Sequence, residues 1–178
     1  MIPEVIDVKE TSMSCGIALS LALLMSDPNV AVAAAQPPAV VGAPISVAAE
    51  PLFVDIVTRS SGLKAIVDGW KSSGSADVSG FFTSADYTGF KTRAVALSTT
   101  DMQAHLILKA RGTDGDLKCI LRGISEDILR KIAAVEAATT PALRAVALDE
   151  LSYLLNDNVE ATTSPPQADA QSGVPTAG

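Results

Sequence analysis

At 178 residues, 48% of them hydrophobic, the chain is long enough for one domain with a substantial core. Aromatics make up only 4% and alanine fills much of the apolar count, a composition that suits close-packed helices better than a sheet. The charge of −7 sits mainly at the ends: residues 1–35 and 156–178 each net −3, so the near-neutral middle excludes the pI of 4.6 as an argument for a cationic partner.

Residues 91–131 carry eight Lys or Arg against five Asp or Glu. That excess lacks the dense basic stripe and stacking aromatics of a nucleic-acid binder, so no nucleic-acid partner is expected. The two cysteines, Cys15 and Cys119, are too few for a disulfide scaffold.

Taken in chain order, Gly16 to Met25 is an apolar run of signal-peptide length, well short of the ~20 residues a membrane span needs. Asp27-Pro28 turns it into Ala31-Val32-Ala33-Ala34-Ala35-Gln36, whose alternating small residues suit a signal peptidase cutting after Ala35. The front departs from the pattern, because Glu4, Asp7 and Glu10 stand where positive charge belongs. A true start at Met13 would remove them, and the competing reading makes residues 1–35 a first helix of the fold. Under export the mature chain has no membrane span and 143 residues, with Cys119 its sole cysteine. Residues 36–49, with Pro37, Pro38 and Pro44, read as an extended linker.

The domain is expected over residues 50–156. Glu50-Pro51 opens a helix with Leu52, Phe53, Ile56 and Val57 facing inward, and Ser60-Ser61-Gly62 is expected to break or kink it before Leu63, Ile66, Val67 and Trp70. Lys71 to Gly80 is a Ser/Gly loop. Thr83 caps the next helix, in which Tyr87, Phe90, Ala94 and Leu97 form one stripe. Thr100-Asp101-Met102-Gln103 has the form of a capping box and predicts a fresh, largely apolar central helix ending at Gly112. Thr113 then caps a short helix closed by Gly123.

Ser125 caps a further helix with Ile128, Ile132 and Val135 inward, its outer face paired as Glu126/Arg130 and Asp127/Lys131. Thr140-Pro141 starts the last one, with Leu143, Ala147, Leu148, Leu151, Leu154 and Leu155 on its buried side. Residues 157–178 read as a disordered tail. The expected fold is all-α, an irregular or orthogonal bundle of five to six short helices.

Chemistry-bearing residues are sparse. His105, the only histidine, shares a helix side with Asp101 and Lys109, which reads as a polar strip on a buried helix rather than as a general base oriented by an acid. Asp114-Gly115-Asp116 fails as a calcium loop, because Lys118, Ile120 and Ser125 stand where further oxygen ligands belong. Cys119 lies opposite Leu117, Ile120, Leu121 and Ile124, among Asp116, Lys118 and Arg122. Nearby cations favour thiolate, so it is a candidate reactive thiol or, in an exported chain, the bond of a homo-dimer. Trp70, Phe81 and Phe82 flank the Ser/Gly loop and are candidate binding residues, or else the core's largest plugs.

No catalytic residue, metal ligand or cofactor is assigned. These observations point to a non-enzymatic helical adaptor or accessory protein of a bacterial-type envelope, binding another protein through a helix face. A cytoplasmic regulatory or immunity-type binding module is the second reading, and a thiol-dependent enzyme using Cys119 is the third.

Overall fold

The computed structural model describes residues 28–29, 46–112 and 116–164. The apolar run 16–25, the cleavage position after Ala35, most of the linker, Thr113-Asp114-Gly115 and residues 165–178 lie outside them. The described chain is all-α: helices α1 (Pro51–Ser73), α2 (Ala85–Ala110), α3 (Leu117–Ala137) and α4 (Pro141–Thr163), with 3-10 turns at Ser75–Asp77 and Phe81–Thr83.

These are four long helices rather than five or six short ones, and the reason is visible at each expected break. Ser60 is buried and helical, and Gly62 lies in open space on the same continuous helix. Thr100 does not start a helix, because its hydroxyl donates to the Ala96 carbonyl four residues back, 3.0 Å away. Ser125 does not cap one either, since its hydroxyl crosses to the Ser98 carbonyl on α2. Where the chain does turn, the local chemistry is decisive. Gly74 and Gly112 take φ of +68° and +65°, a left-handed conformation that ends α1 and α2 with little strain only for glycine. Ser84, one residue beyond the expected Thr83, caps α2 by accepting from Tyr87 N at 3.2 Å. Thr140 caps α4 ahead of Pro141 as the sequence predicts, accepting from Leu143 N at 3.2 Å. α4 then runs past Asn156 to Thr163, carrying buried Asn158 and Thr162 into the bundle.

Each helix packs on its successor, and α4 closes back on α1. Tyr87 meets Glu136, Ser98 meets Ser125 and His105 meets Lys118, so numbers rise on α2 as they fall on α3. Ser60 with Asn158 and Asp68 with Ser152 give the same sense for α1 and α4. Glu50 with Arg111, and Trp70 with Phe90, repeat it for α1 and α2. The result is an up-and-down bundle, a topology that short connections favour.

Its core matches the predicted stripes over much of its length. Tyr87, Phe90, Ala94 and Leu97 are buried, as are Leu52, Phe53 and Ile56 and, on α3, Ile128, Ile132 and Val135. The outer face of α3 differs from expectation. Arg122 bonds Glu126, Arg130 bonds Asp127, and Lys131 reaches across to Glu150 on α4 instead of pairing with Asp127.

At the middle of the α2–α3 crossing two serines exchange hydrogen bonds. Ser98 Oγ donates to the Ser125 carbonyl and Ser125 Oγ to the Ser98 carbonyl, both at 2.8 Å and both buried. Side chains this small let the helix backbones approach closely. Ser98→Ala should therefore cost about 1 kcal/mol for one lost hydroxyl bond. Ser98→Leu, forcing bulk into the crossing, should cost an additional ~1–3 kcal/mol. Urea midpoints at constant m-value check both.

Candidate functional site

The aromatic residues singled out by the sequence come together, and they come together inside. Trp70 packs edge-on against Phe81 at 4.9 Å and against Phe90 at 4.7 Å between centroids. Phe82 is half-buried over Tyr87 at 5.0 Å, with the Arg144 guanidinium 5.3 Å from its ring centre. Two 3-10 turns tuck these rings under the α1–α2 connection, so Trp70 and Phe81 close the core at that end. The Tyr87 hydroxyl donates to Glu136 Oε1 at 3.0 Å, and Lys91 bonds the same oxygen at 2.7 Å. Burial, reinforced by the Glu136 bond, pushes the Tyr87 phenol up, while Lys91 holds the Glu136 carboxyl below its ordinary value.

His105 and Asp101 share a face but do not meet. His105 is buried with Nδ1 against the Lys118 carbonyl at 2.5 Å, a pairing that makes Nδ1 the donor. Asp101 accepts instead from Asn158 on α4 at 2.9 Å. The acid-oriented base considered for this pair is not assembled. Cys119 is half-buried and disulfide-bonded. The chain's other cysteine, Cys15, lies outside the described residues. Among the described residues no group of three or more His, Cys, Asp or Glu side chains could hold a metal ion. Nor is any helix there long and apolar enough to cross a membrane.

The feature that sequence reasoning missed lies on the surface, around the turn into α4. Leu143, expected in the core, is 57% exposed, and Val146 one turn on is 56% exposed. Pro141, Ala142 and Ala145 lie open beside them, as do Ala137, Thr139 and Thr140 before the helix. Arg144 carries the sole charge in the twelve residues 137–148, and its guanidinium is turned away. It donates to the Ala76 carbonyl at 3.1 Å, Asp77 Oδ1 at 2.7 Å and the Ala138 carbonyl at 3.0 Å. That clamp brings the 3-10 turn beside α4, and Val78, next to Asp77, is 64% exposed. Farther along α4, Tyr153 is 69% exposed and lies ten residues from Leu143, on the same side of the helix as Val146. The one available signal was the charge gap from 137 to 148. Helical periodicity assigned Leu143 to the stripe of Leu148, Leu151 and Leu155, but it lies roughly 80–140° around the helix from them, and Arg144, within their arc, is the first-turn residue that meets the Ala76–Asp77 turn.

The class these features define, among the described residues, is an all-α, up-and-down bundle of four helices with two exposed apolar side chains at the start of α4. No protein-family model, curated protein or solved structure matches the chain. Because both side chains face solvent, Leu143→Ser and Val146→Ser should each change unfolding free energy by no more than about 0.5 kcal/mol. Leu148→Ala, one turn away but buried, should cost ~2–5 kcal/mol. Denaturant unfolding of the three variants makes the comparison.

Proposed function

We propose that the protein is a non-enzymatic helical adaptor or accessory protein, exported to a bacterial-type envelope, which binds another protein through the first half of α4. The observation that carries this reading is the exposure of Leu143 and Val146 on the first half of α4, with the Arg144 guanidinium between them in sequence drawn inward onto Asp77. Exposed apolar side chains are ordinary one at a time; an apolar pair on one helix face, rimmed by charge at Asp149 and Glu150, has the layout of a contact surface. Covering the exposed half of a leucine and a valine contributes about 1 kcal/mol each, so the pair would form the centre of a larger interface. The signal-like front of the chain supports export. The same face would serve a cytoplasmic regulatory module, so compartment and binding are tested separately.

A photo-crosslinking residue at position 146 should trap a discrete partner in the native cell, while one at Arg130 on the outside of α3 should not. Leu143→Asp with Val146→Asp should reduce capture at least about tenfold, the equivalent of ~1.4 kcal/mol, without shifting the melting curve. Equal capture by the double variant would sink the reading. For the compartment, intact mass after cell fractionation should show a chain beginning at Gln36. That chain lacks Cys15, so any disulfide at Cys119 would join two molecules, and non-reducing electrophoresis should then show a dimer. A full-length chain in the cytosol would favour the regulatory module.

A further inference from the structure

Where α1, α2 and α4 meet, the bundle encloses a set of polar side chains to which the proposed function gives no role. Asp101, Asn158, Ser60 and Thr162 are all 0% exposed. Asn158 Nδ2 donates twice, to Asp101 Oδ2 at 2.9 Å and to Ser60 Oγ at 3.0 Å. On these two carrying side chains one atom each remains buried without a partner: Asp101 Oδ1 and Asn158 Oδ1.

Those are the two atoms that a second bond between the same side chains would join. With Asp101 ionised both are acceptors, and no bond between them exists. With a proton on Oδ1, the Asp101 hydroxyl donates to Asn158 Oδ1 while Oδ2 continues to accept from Nδ2. The side chains then close a cyclic acid–amide pair, and the remaining amide hydrogen is already used by Ser60.

We propose that folded Asp101 is the neutral carboxylic acid, latched to Asn158 by two hydrogen bonds, and that loss of its proton to solvent releases the C-terminal half of α4 from α2. The surrounding charges do not favour the ionised form. On α1, Arg59 bonds Asp55 at 2.7 Å and Lys64 bonds Asp68 at 2.6 Å. On α3, the Arg122 side chain bonds Glu126 at 3.0 Å, and Lys118 offers its carbonyl to His105, which lies one turn along α2 from Asp101. α4 brings only acids to this level, Asp157 and Glu160 beside Asn158. Among the described residues no cation bonds Asp101. Burial accordingly pushes its carboxyl well above the ordinary range, against the smaller opposite effect of the Asn158 bond.

The sign of the pH effect follows. The unfolded chain ionises Asp101 near pH 3.9, whereas the folded chain retains the proton. From there up to the folded value, the latch contribution to stability falls as pH rises. Asp101→Asn separates this from every other titration. An asparagine can keep both bonds to Asn158 but cannot ionise, and shifts at Asp68 or Glu136 are common to both proteins and cancel. The folding equilibrium constant of the native protein should therefore fall relative to Asp101→Asn by about tenfold per pH unit across that window. A ratio that stays flat between pH 5 and pH 8 overturns the proposal. Independently of the variant, carbon-13 NMR of aspartate-labelled protein should show the Asp101 carboxyl carbon protonated at pH 6. Titration of that carbon in the ordinary carboxylate range near pH 4 overturns it as well.

Discussion

The polar stripe on the buried side of α2 is the constraint on which the bundle depends. Ser98, Asp101 and His105 follow one another at three- and four-residue steps and are all buried. Each requires a partner that its own helix does not supply, because a buried polar group left unpaired costs ~1–3 kcal/mol. Ser98 takes Ser125 on α3, Asp101 takes Asn158 on α4, and His105 takes the Lys118 carbonyl. At the end of α2 the Arg111 guanidinium grips both oxygens of Glu50, at 2.9 and 2.8 Å, and joins the start of α1. Apolar packing among Leu, Ile and Ala tolerates helix sliding. These directional pairs do not, and they lock three neighbours against one helix in a single register.

This constraint also explains which parts of the fold were legible in the sequence. Thr140-Pro141 is a purely local signal, and the structure uses it as a helix start. The apolar repeats of Tyr87–Leu97 and Ile128–Val135 depend on helical period alone and survive intact. Thr100 failed as a boundary because its hydroxyl bonds back to the Ala96 carbonyl of its own helix; Ser60 and Ser125 failed for another, shared reason. A hydroxyl that caps a helix and a hydroxyl that bonds across to another helix look identical in sequence; only the tertiary partner distinguishes them. Asn158 misled in the opposite sense. Polar residues after Leu155 read as the end of the domain, whereas Asn158 and Thr162 are buried against α1 and α2. The exposure of Leu143 was hidden because a stripe read as one side of α4 was drawn too wide, and the arc that α1, α3 and the 3-10 turn cover is centred nearer Arg144 and Leu151.

The aromatic residues show how the ends of such a bundle are sealed. Trp70, Phe81, Tyr87 and Phe90 fill the space under the α1–α2 connection in edge-on and tilted contacts, geometries that stabilise beyond simple burial. Their role is to anchor the 3-10 turns, and those turns in turn receive Arg144. Drawing the guanidinium inward has two effects. It satisfies carbonyls at Ala76 and Ala138 that the turns leave without helix partners, and it removes the guanidinium from the surface beside Leu143. The apolar corner at Leu143 and Val146 is thus a by-product of closing the core, available for binding without any dedicated element.

α4 carries both features, at opposite ends, and the bonds between them decide whether they communicate. Between the corner and Asn158 the helix is held by Lys71 to Asp149, Lys131 to Glu150 and Ser152 to Asp68, the last at 2.6 Å. Lys64 and Ser152 hold the Asp68 carboxyl below its usual value, so these contacts persist where Asp101 would lose its proton. Leu148 and Leu151 remain buried in the same stretch. Releasing the far end therefore frees the turns around Asn158 and Thr162, while the first half of α4 keeps its own anchors. The corner would then hold its shape as the latch opens, and binding and proton response become separable properties of one helix.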